Sequence, residues 1–543
     1  MSKLAEHIRK HLQGEVTVAK DALDYFSTDG SVLKITPKVI VYPRHTTDVR
    51  KITRFSWQLA EQGKHLPITA RGKGTDQAGG ALGEGVMVVM PAHMNKMVHL
   101  DKEYVTVQPG ILYSDLQRTL HSHGRFLPPY PSSIEFSTIG GAVANNACGE
   151  KTYKYGSTAD YVANLQVVLA NGQQITAERI STKQLNHKKG QSDFEGEIYR
   201  QLDGLLHDHE QLIENTRPQV SKNSAGYNLW DIRGKDGSFD LSKLLVGSQG
   251  TLGLVTQVTL KTEKYNPNPD MLTAFFDDIS KAGEAVMRLQ KLGPSAMEMI
   301  DKNLLKFLSK HNPKILEDVG IPQDNLPAIV LLIEFDDEKR RLRHSKAKKA
   351  HKLLTNLAVE RRIIPNHLEQ ESDWRLRHSA AAVIWLDEGS KKALPIIEDG
   401  VVPIEKLPEF LDGVYELFNK YHLEIAVWGH AGDANLHLQP FLDLSNTGDR
   451  QTVFRLMDEF YRMVIAMGGS TCGEHNDGRL RAPYLKEVYG DQMYELFREV
   501  KKIFDPYNIL NPGVKIDVTR EDIVPLLRKE YSMKHLYDHM PQL

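Results

Sequence analysis

The sequence predicts an α+β protein of at least two domains, and three observations carry that reading. Over roughly the first 260 residues, short apolar strands alternate with amphipathic helices, and glycine-rich turns interrupt them. From about residue 265 the glycine loops disappear, and strands such as AIVLLIEF alternate with long charged helices, as expected of a second α/β domain capping the first. With 543 residues, 41% of them hydrophobic, the chain is long enough for two to four domains with real cores.

The elements follow in order. Residues 1–35 read as a short helix and a lead-in. Thr46 or Thr47 is placed to cap a helix that carries Val49, Ile52, Phe55 and Leu59 on one face and stops near Gly63. LPITA is a strand that runs into RGKGTDQAGG, and GVMVVM and YVTVQPG are further strands. A helix is expected from Ile111 to about His123, and Asn171-Gly172 marks a hairpin inside LQVVLANGQQIT. Domain boundaries are expected at 36–264, 265–516 and a charged tail over 517–543.

Composition excludes several classes. A net charge of -2 lacks the basic footprint of a nucleic-acid binder. The eight Lys and Arg residues between Lys339 and Lys352 therefore read as a solvated helix face. Cys148 and Cys472, the only cysteines, cannot supply an iron–sulfur cluster or a disulfide framework. Cys472 reads as a small packed residue rather than a redox thiol. The start MSKLAEHIRKHLQGEV has no apolar signal core, and no run of about 18 apolar residues exists, so no secretory signal and no transmembrane segment are expected. The expectation is a cytoplasmic protein, with peripheral membrane contact left open.

Two glycine segments look built for a ligand. In RGKGTDQAGG, loop glycines let backbone N–H groups approach phosphate oxygens, and Arg71 or Lys73 can add charge. In STIGGAVANNACG, small residues and adjacent asparagines make a flat, amide-rich lining that suits a fused ring system with polar edges.

A second constellation comes later. WGHAGDANLH reads as two strands joined by AGD, with Trp428 and His430 on one face and Asn435, His437 and Gln439 on one face of the other. CGEHNDG adds Glu474 and His475. Of His430, His437, Glu474 and His475, three can bind a divalent metal, leaving one as a base and one coordination position open, which suits catalysis rather than structure. Nitrogen and oxygen ligands favour Zn²⁺ first, then Mn²⁺, Fe²⁺ or Co²⁺.

The loop at 71–80 with PSSIEFSTIGGAVANNACG, TYKYGSTADYV and GSQGTLG, four motifs in order over residues 36–262, resembles the FAD-binding domain of the vanillyl-alcohol oxidase/p-cresol methylhydroxylase flavoproteins. The resemblance implies a two-subdomain FAD-binding domain and an α/β, ferredoxin-like substrate cap. It implies FAD contacts from Arg71, Gly72, Lys73, Gly74, Thr75 and Asp76, from Ser132, Thr138, Gly140, Gly141, Asn145 and Asn146, and from Gly156, Ser157, Gly250 and Asn511. Some members tether FAD through a histidine near the first loop. Thr75 and Asp76 stand there, so non-covalent FAD is expected. Gln249 stands where relatives often carry glutamate.

The later motifs resemble the D-2-hydroxyacid dehydrogenase branch, which includes D-lactate, D-2-hydroxyglutarate and glycolate dehydrogenases, and extend the match to residues 36–516. That resemblance implies His430, His437 and Glu474 as metal ligands and His475 as the base. It points to Arg377 in WRLRHSA for the substrate carboxylate, Lys392 as a weaker candidate for a second carboxylate, and Gln439 where D-2-hydroxyglutarate enzymes tend to carry asparagine. GEHNDG replaces the commoner GEHGIG, so Asn476 and Asp477 are expected to alter the pocket floor. GEHNDG and the following PYL look closer to larger members with a fused iron–sulfur part, which this chain is expected to lack.

The expected reaction is metal-assisted oxidation of a D-2-hydroxy acid to the 2-oxo acid, D-2-hydroxyglutarate or D-lactate first among substrates, with hydride passing to flavin. Electrons then leave to a quinone, cytochrome or electron-transfer protein, and a homodimer is left open. The rival readings are a flavin-free metallohydrolase, a flavoprotein subunit active only with an electron-transfer partner, and a non-oxidative flavoenzyme of the ether-lipid-synthase type.

Overall fold

The computed structural model describes residues 3–364, 367–379 and 391–533. Three main sheets organise them. A four-stranded sheet sets Glu15–Thr17, Val39–Tyr42, Val86–Val89 and Ile68–Arg71 side by side, with the last three strands parallel. A six-stranded antiparallel sheet is built around Val162–Val168 and Leu254–Lys261. An eight-stranded antiparallel sheet spans from Glu360–Ile364 through Asp270–Phe276 and Ile425–His430 to Lys392–Ala393.

The expected elements form, with local differences. The helix Thr46–Glu61 starts after His45, whose side chain makes no capping bond. Neither threonine caps it, because both already lie within its first turn, where the Asp48 carboxylate accepts the backbone N–H groups of Gln13, Gly14 and Arg44. The helix expected from Ile111 begins at Tyr113. Asn171-Gly172 does turn a hairpin: Val162–Val168 pairs antiparallel with Gln174–Ile180, and Gly172 has φ 83°. The basic segment is the helix Arg340–Leu353, which buries only Arg343, Ala347 and Ala350.

Two large cores follow the sheets. One lies under the eight-stranded sheet, with Phe276, Phe335, Phe410 and Phe460 wholly buried. The other lies under the six-stranded sheet. The chain returns to this second core after the cap: the helix Leu485–Phe504 buries Tyr489, Phe497, Val500 and Phe504 there. That return carries the Cys472–Gly478 turn across the boundary between the two cores. Among the described residues, no helix is long and apolar enough to cross a membrane.

Candidate active site

A groove of about 860 Å³ runs between the two glycine segments. Arg71 to Asp76 form one wall, Thr138, Gly140, Gly141 and Asn145 the other, and Gly250 lies at its border. The walls approach so closely that a Cβ on Gly72 would sit 2.5 Å from Thr138 Oγ1. Glycine is therefore a steric requirement there. Arg71 does not face the groove as a free cation. Its guanidinium donates to the carbonyls of Ala81 (3.0 Å) and Thr28 (2.7 Å), bracing the loop and leaving Lys73 as the loop cation on the lining.

Asp76 is the hub of this loop. It accepts the backbone N–H groups of Ala78 and Gly80 and the amides of Asn145 (3.0 Å) and Gln249 (3.2 Å). Gln249 also donates to Asn145 Oδ1 and accepts from Gly478 N. A glutamate at 249 would lack the donor that Asp76 needs, so the amide matches its carboxylate neighbour. Asn511 is buried and donates to the carbonyls of Gly80 and Gln249, both at 2.8 Å. Its neighbour Leu510 forms a single parallel bridge with Ile68.

Asn146, Gly156 and Ser157 lie elsewhere, on a separate polar cavity of about 1260 Å³. Ser132 lies on a third, smaller cavity of about 450 Å³ with Gln77, Arg377, Trp428, His437, Gln439 and His475. Gln439 is buried, and its Oε1 has no hydrogen-bond partner among the described residues. Lys392, half-buried in a two-residue strand beside Leu442, does not line this cavity.

The hairpin Ile425–His430/Asn435–Leu442 pairs Trp428 with His437 and His430 with Asn435. It brings both histidines onto Glu474: its Oε1 lies 3.0 Å from His430 Nε2 and 3.2 Å from His437 Nε2. His475 Nε2 is 3.5 Å from the same oxygen. Each imidazole is oriented by a carboxylate on its other nitrogen. Glu298 takes His430 Nδ1 at 2.8 Å, while Glu398 takes His475 Nδ1 at 2.5 Å and His437 Nδ1 at 3.3 Å. Such partners fix ring orientation and tautomer at metal sites. Asp399 receives the backbone N–H groups of Glu474 and His475, which fixes the turn.

The electrostatics follow from burial. Burial pulls the His475 imidazole down, but Glu398, Asp399 and Glu474 outweigh it and hold it up at about 9. His430 is likewise held at about 9, against burial, by Glu298 and Glu474. Burial would raise Glu474, yet His430 and Lys222 hold its carboxyl well below the usual range. The buried carboxylates Glu298, Glu398, Asp399 and Glu474 face the permanent cations Arg377, Arg481 and Lys222. Two imidazole nitrogens and a carboxylate oxygen, all within 4.8 Å of one another, fit a divalent cation.

Glu298, Glu398, Asp399 and Lys222 escaped sequence reading, because each is distant in sequence from the motif it supports. Asn476 and Asp477 correct another expectation. They do not form the pocket floor: both are fully buried and absent from the cavity lining. Asn476 has φ 65°, which turns the chain inward directly after His475. Its amide then donates to the carbonyls of Asn145 and Gly247, and Asp477 pairs with Lys515 at 2.8 Å. Cys472 is a packed thiol, pushed up by burial.

Comparison with known proteins agrees with this geometry. The family described as FAD linked oxidases, C-terminal domain, matches residues 267–514, and the FAD binding domain matches residues 37–178. The glycolate oxidase subunit GlcD of Bacillus subtilis is 30% identical over 482 residues, covering 88% of each chain. The chain belongs to the FAD-linked oxidases. Other relatives of this FAD-linked oxidase include a D-lactate dehydrogenase of Anaerostipes hadrus, 28% identical over 94% of this chain and 96% of that one. The D-2-hydroxyglutarate dehydrogenase of Pantoea ananatis is 26% identical over 94% of this chain but only 51% of its own length, so the oxidase spans about half of that relative. Among solved structures, p-cresol methylhydroxylase with substrate bound shares the fold at TM-score 0.68 and 15% identity, over 95% of this chain and 96% of that one. The expected flavoprotein fold and an FAD-linked oxidoreductase activity are thereby established.

Proposed function

We propose that this FAD-linked oxidase converts a D-2-hydroxy acid to the 2-oxo acid, with D-lactate or D-2-hydroxyglutarate first among substrates. The observation that carries the reading is the 450 Å³ cavity that gathers Arg377, Gln439, His437 and His475 beside the His430–His437–Glu474 trio.

Each residue then has a task. Arg377 spends its Nε on Glu298 at 2.7 Å, which aims the rest of its planar fork at the substrate carboxylate. Gln439 offers its unpartnered amide oxygen to the substrate. His475, held through Nδ1 by Glu398, presents Nε2 to take the hydroxyl proton when its imidazole is neutral, a form that the surrounding carboxylates, holding it at about 9, make the minority at neutral pH. Buried Trp428 gives the cavity an apolar wall that excludes water. Non-covalent FAD, held by the 71–76 loop, the Thr138–Asn145 segment and Gly250, supplies the hydride acceptor when bound. A divalent cation, Zn²⁺ first, held by His430, His437 and Glu474, supplies the Lewis acid that acidifies the hydroxyl.

The electrons leave to a quinone, a cytochrome or an electron-transfer protein. Similarity to a relative named as a glycolate oxidase subunit supports the variant reading, a catalytic flavoprotein that passes electrons on within an assembly. Anaerobic bleaching of the purified flavin with a panel of D- and L-2-hydroxy acids tests the function. Bleaching by D-acids that a chelator suppresses is expected. A flavin that no 2-hydroxy acid reduces would refute the reading, and indifference to chelators would remove the metal from it.

A further inference from the structure

Glu474 uses its two oxygens on opposite sides. Oε1 faces His430 and His437, while Oε2 turns back to Lys222 Nζ at 2.5 Å and Cys148 Sγ at 3.2 Å. Lys222 is 2% exposed and reaches the trio from the glycine-loop domain, not from the cap. Its own loop is fastened to the ligand-bearing turns on both sides. Ser221 donates to the carbonyl of Asp433, Ser224 N to the carbonyl of Cys472, and Ser470 to the side chain of Asn223. An ammonium anchored this way restrains a carboxylate in one rotamer and makes one oxygen its exclusive partner.

We propose that Lys222 is a positioning residue for the metal site: it holds Glu474 so that a single oxygen, Oε1, is presented with the two imidazoles to a divalent cation. This deepens the function proposed above and rests on its metal reading.

The test uses the full chain with FAD bound, stripped of metal and titrated with Zn²⁺ alone against a chromophoric competitor. Lys222→Met is expected to weaken Zn²⁺ binding about 10–100-fold, the range typical of residues that orient metal ligands. FAD content should stay near wild type, and Lys222→Arg should recover most of the affinity. If the Met variant does not retain FAD, Lys222→Gln keeps a donor without the charge and is still expected to bind Zn²⁺ several-fold more weakly. Wild-type Zn²⁺ affinity in the folded Met or Gln variant overturns the role of Lys222 and leaves the metal reading standing. Absence of Zn²⁺ binding in the wild type overturns the metal reading, and this inference with it.

Discussion

Glu398→Gln is the sharpest probe of the proposed base, because it changes donors and acceptors while preserving shape. Glu398 is 1% exposed. Its Oε2 accepts from His475 Nδ1 at 2.5 Å and His437 Nδ1 at 3.3 Å, and its Oε1 accepts from Arg481 Nη1 at 2.9 Å. A glutamine has one acceptor oxygen and one donor nitrogen for these partners. If the oxygen faces the histidines, the amide N–H groups oppose the wholly buried Arg481 guanidinium. If the oxygen faces Arg481, the amide donates to His475 Nδ1 and drives the imidazole proton onto Nε2. The first arrangement leaves a buried charged donor unsatisfied, at a cost of about 1–3 kcal/mol or more. In the second arrangement Nε2 has no lone pair for the substrate proton, and in the first Arg481 is left facing a donor, so either one disturbs the pocket.

The expected loss is the contribution of a positioned general base, about 10²–10⁴-fold. That corresponds to about 3–5.5 kcal/mol of barrier. The assay is rapid mixing of oxidised enzyme with excess D-2-hydroxy acid under anaerobic conditions, following flavin bleaching in a single turnover. FAD and metal content are measured on the same samples, since His437 shares the carboxylate. A Gln variant that keeps FAD and bleaches within threefold of wild type would refute the orientation argument.

His475→Ala should cut flavin bleaching by at least about 10²-fold with FAD still bound, and full activity in that variant would dismiss His475 as base. Gln249→Glu should set a second carboxylate against Asp76 in place of an amide 3.2 Å away. Flavin release on dilution is expected to rise about tenfold, as one like-charge contact of roughly 1.4 kcal/mol would give, and unchanged retention would show that Asp76 tolerates the charge. Asp477→Ala should leave Lys515 buried and unpaired, which costs about 3–5 kcal/mol for such a pair. Chemical denaturation reads that loss, and a wild-type midpoint would mean that the pair contributes nothing net.

The sequence made some of this site legible because the information there is local. Alternation along IAVWGH and ANLHLQPF dictates which side chains share a face, and the observed register pairs Trp428 with His437 as that alternation requires. The glycine loops were legible for a similar reason: their glycines cluster within the short local segments RGKGTDQAGG and STIGGAVANNACG. The orienting groups were not legible. Glu298 meets His430 across 132 positions, and Lys222 meets Glu474 across 252. No periodicity or spacing rule links residues that far apart. The Asn476-Asp477 expectation failed differently. Adjacency to His475 suggested a place in the pocket, but a left-handed backbone at Asn476 sends the next side chain into the core.

The same contacts show why the site depends on both halves of the chain. The cap supplies His430, His437, Glu298 and Glu398, yet the Glu474 carboxylate they surround is held from behind by Lys222 and Cys148 of the glycine-loop domain. Asn476, two residues beyond Glu474, bonds the carbonyls of Asn145 and Gly247, beside the segment that lines the flavin groove. A shift in that segment therefore reaches the Glu474 turn through two hydrogen bonds and no flexible linker. Packed elements of this kind move together rather than bend continuously. Under the proposed function, a substrate seated against Arg377 and His475 would meet a groove whose wall is tied by two hydrogen bonds to the turn that carries the proposed base.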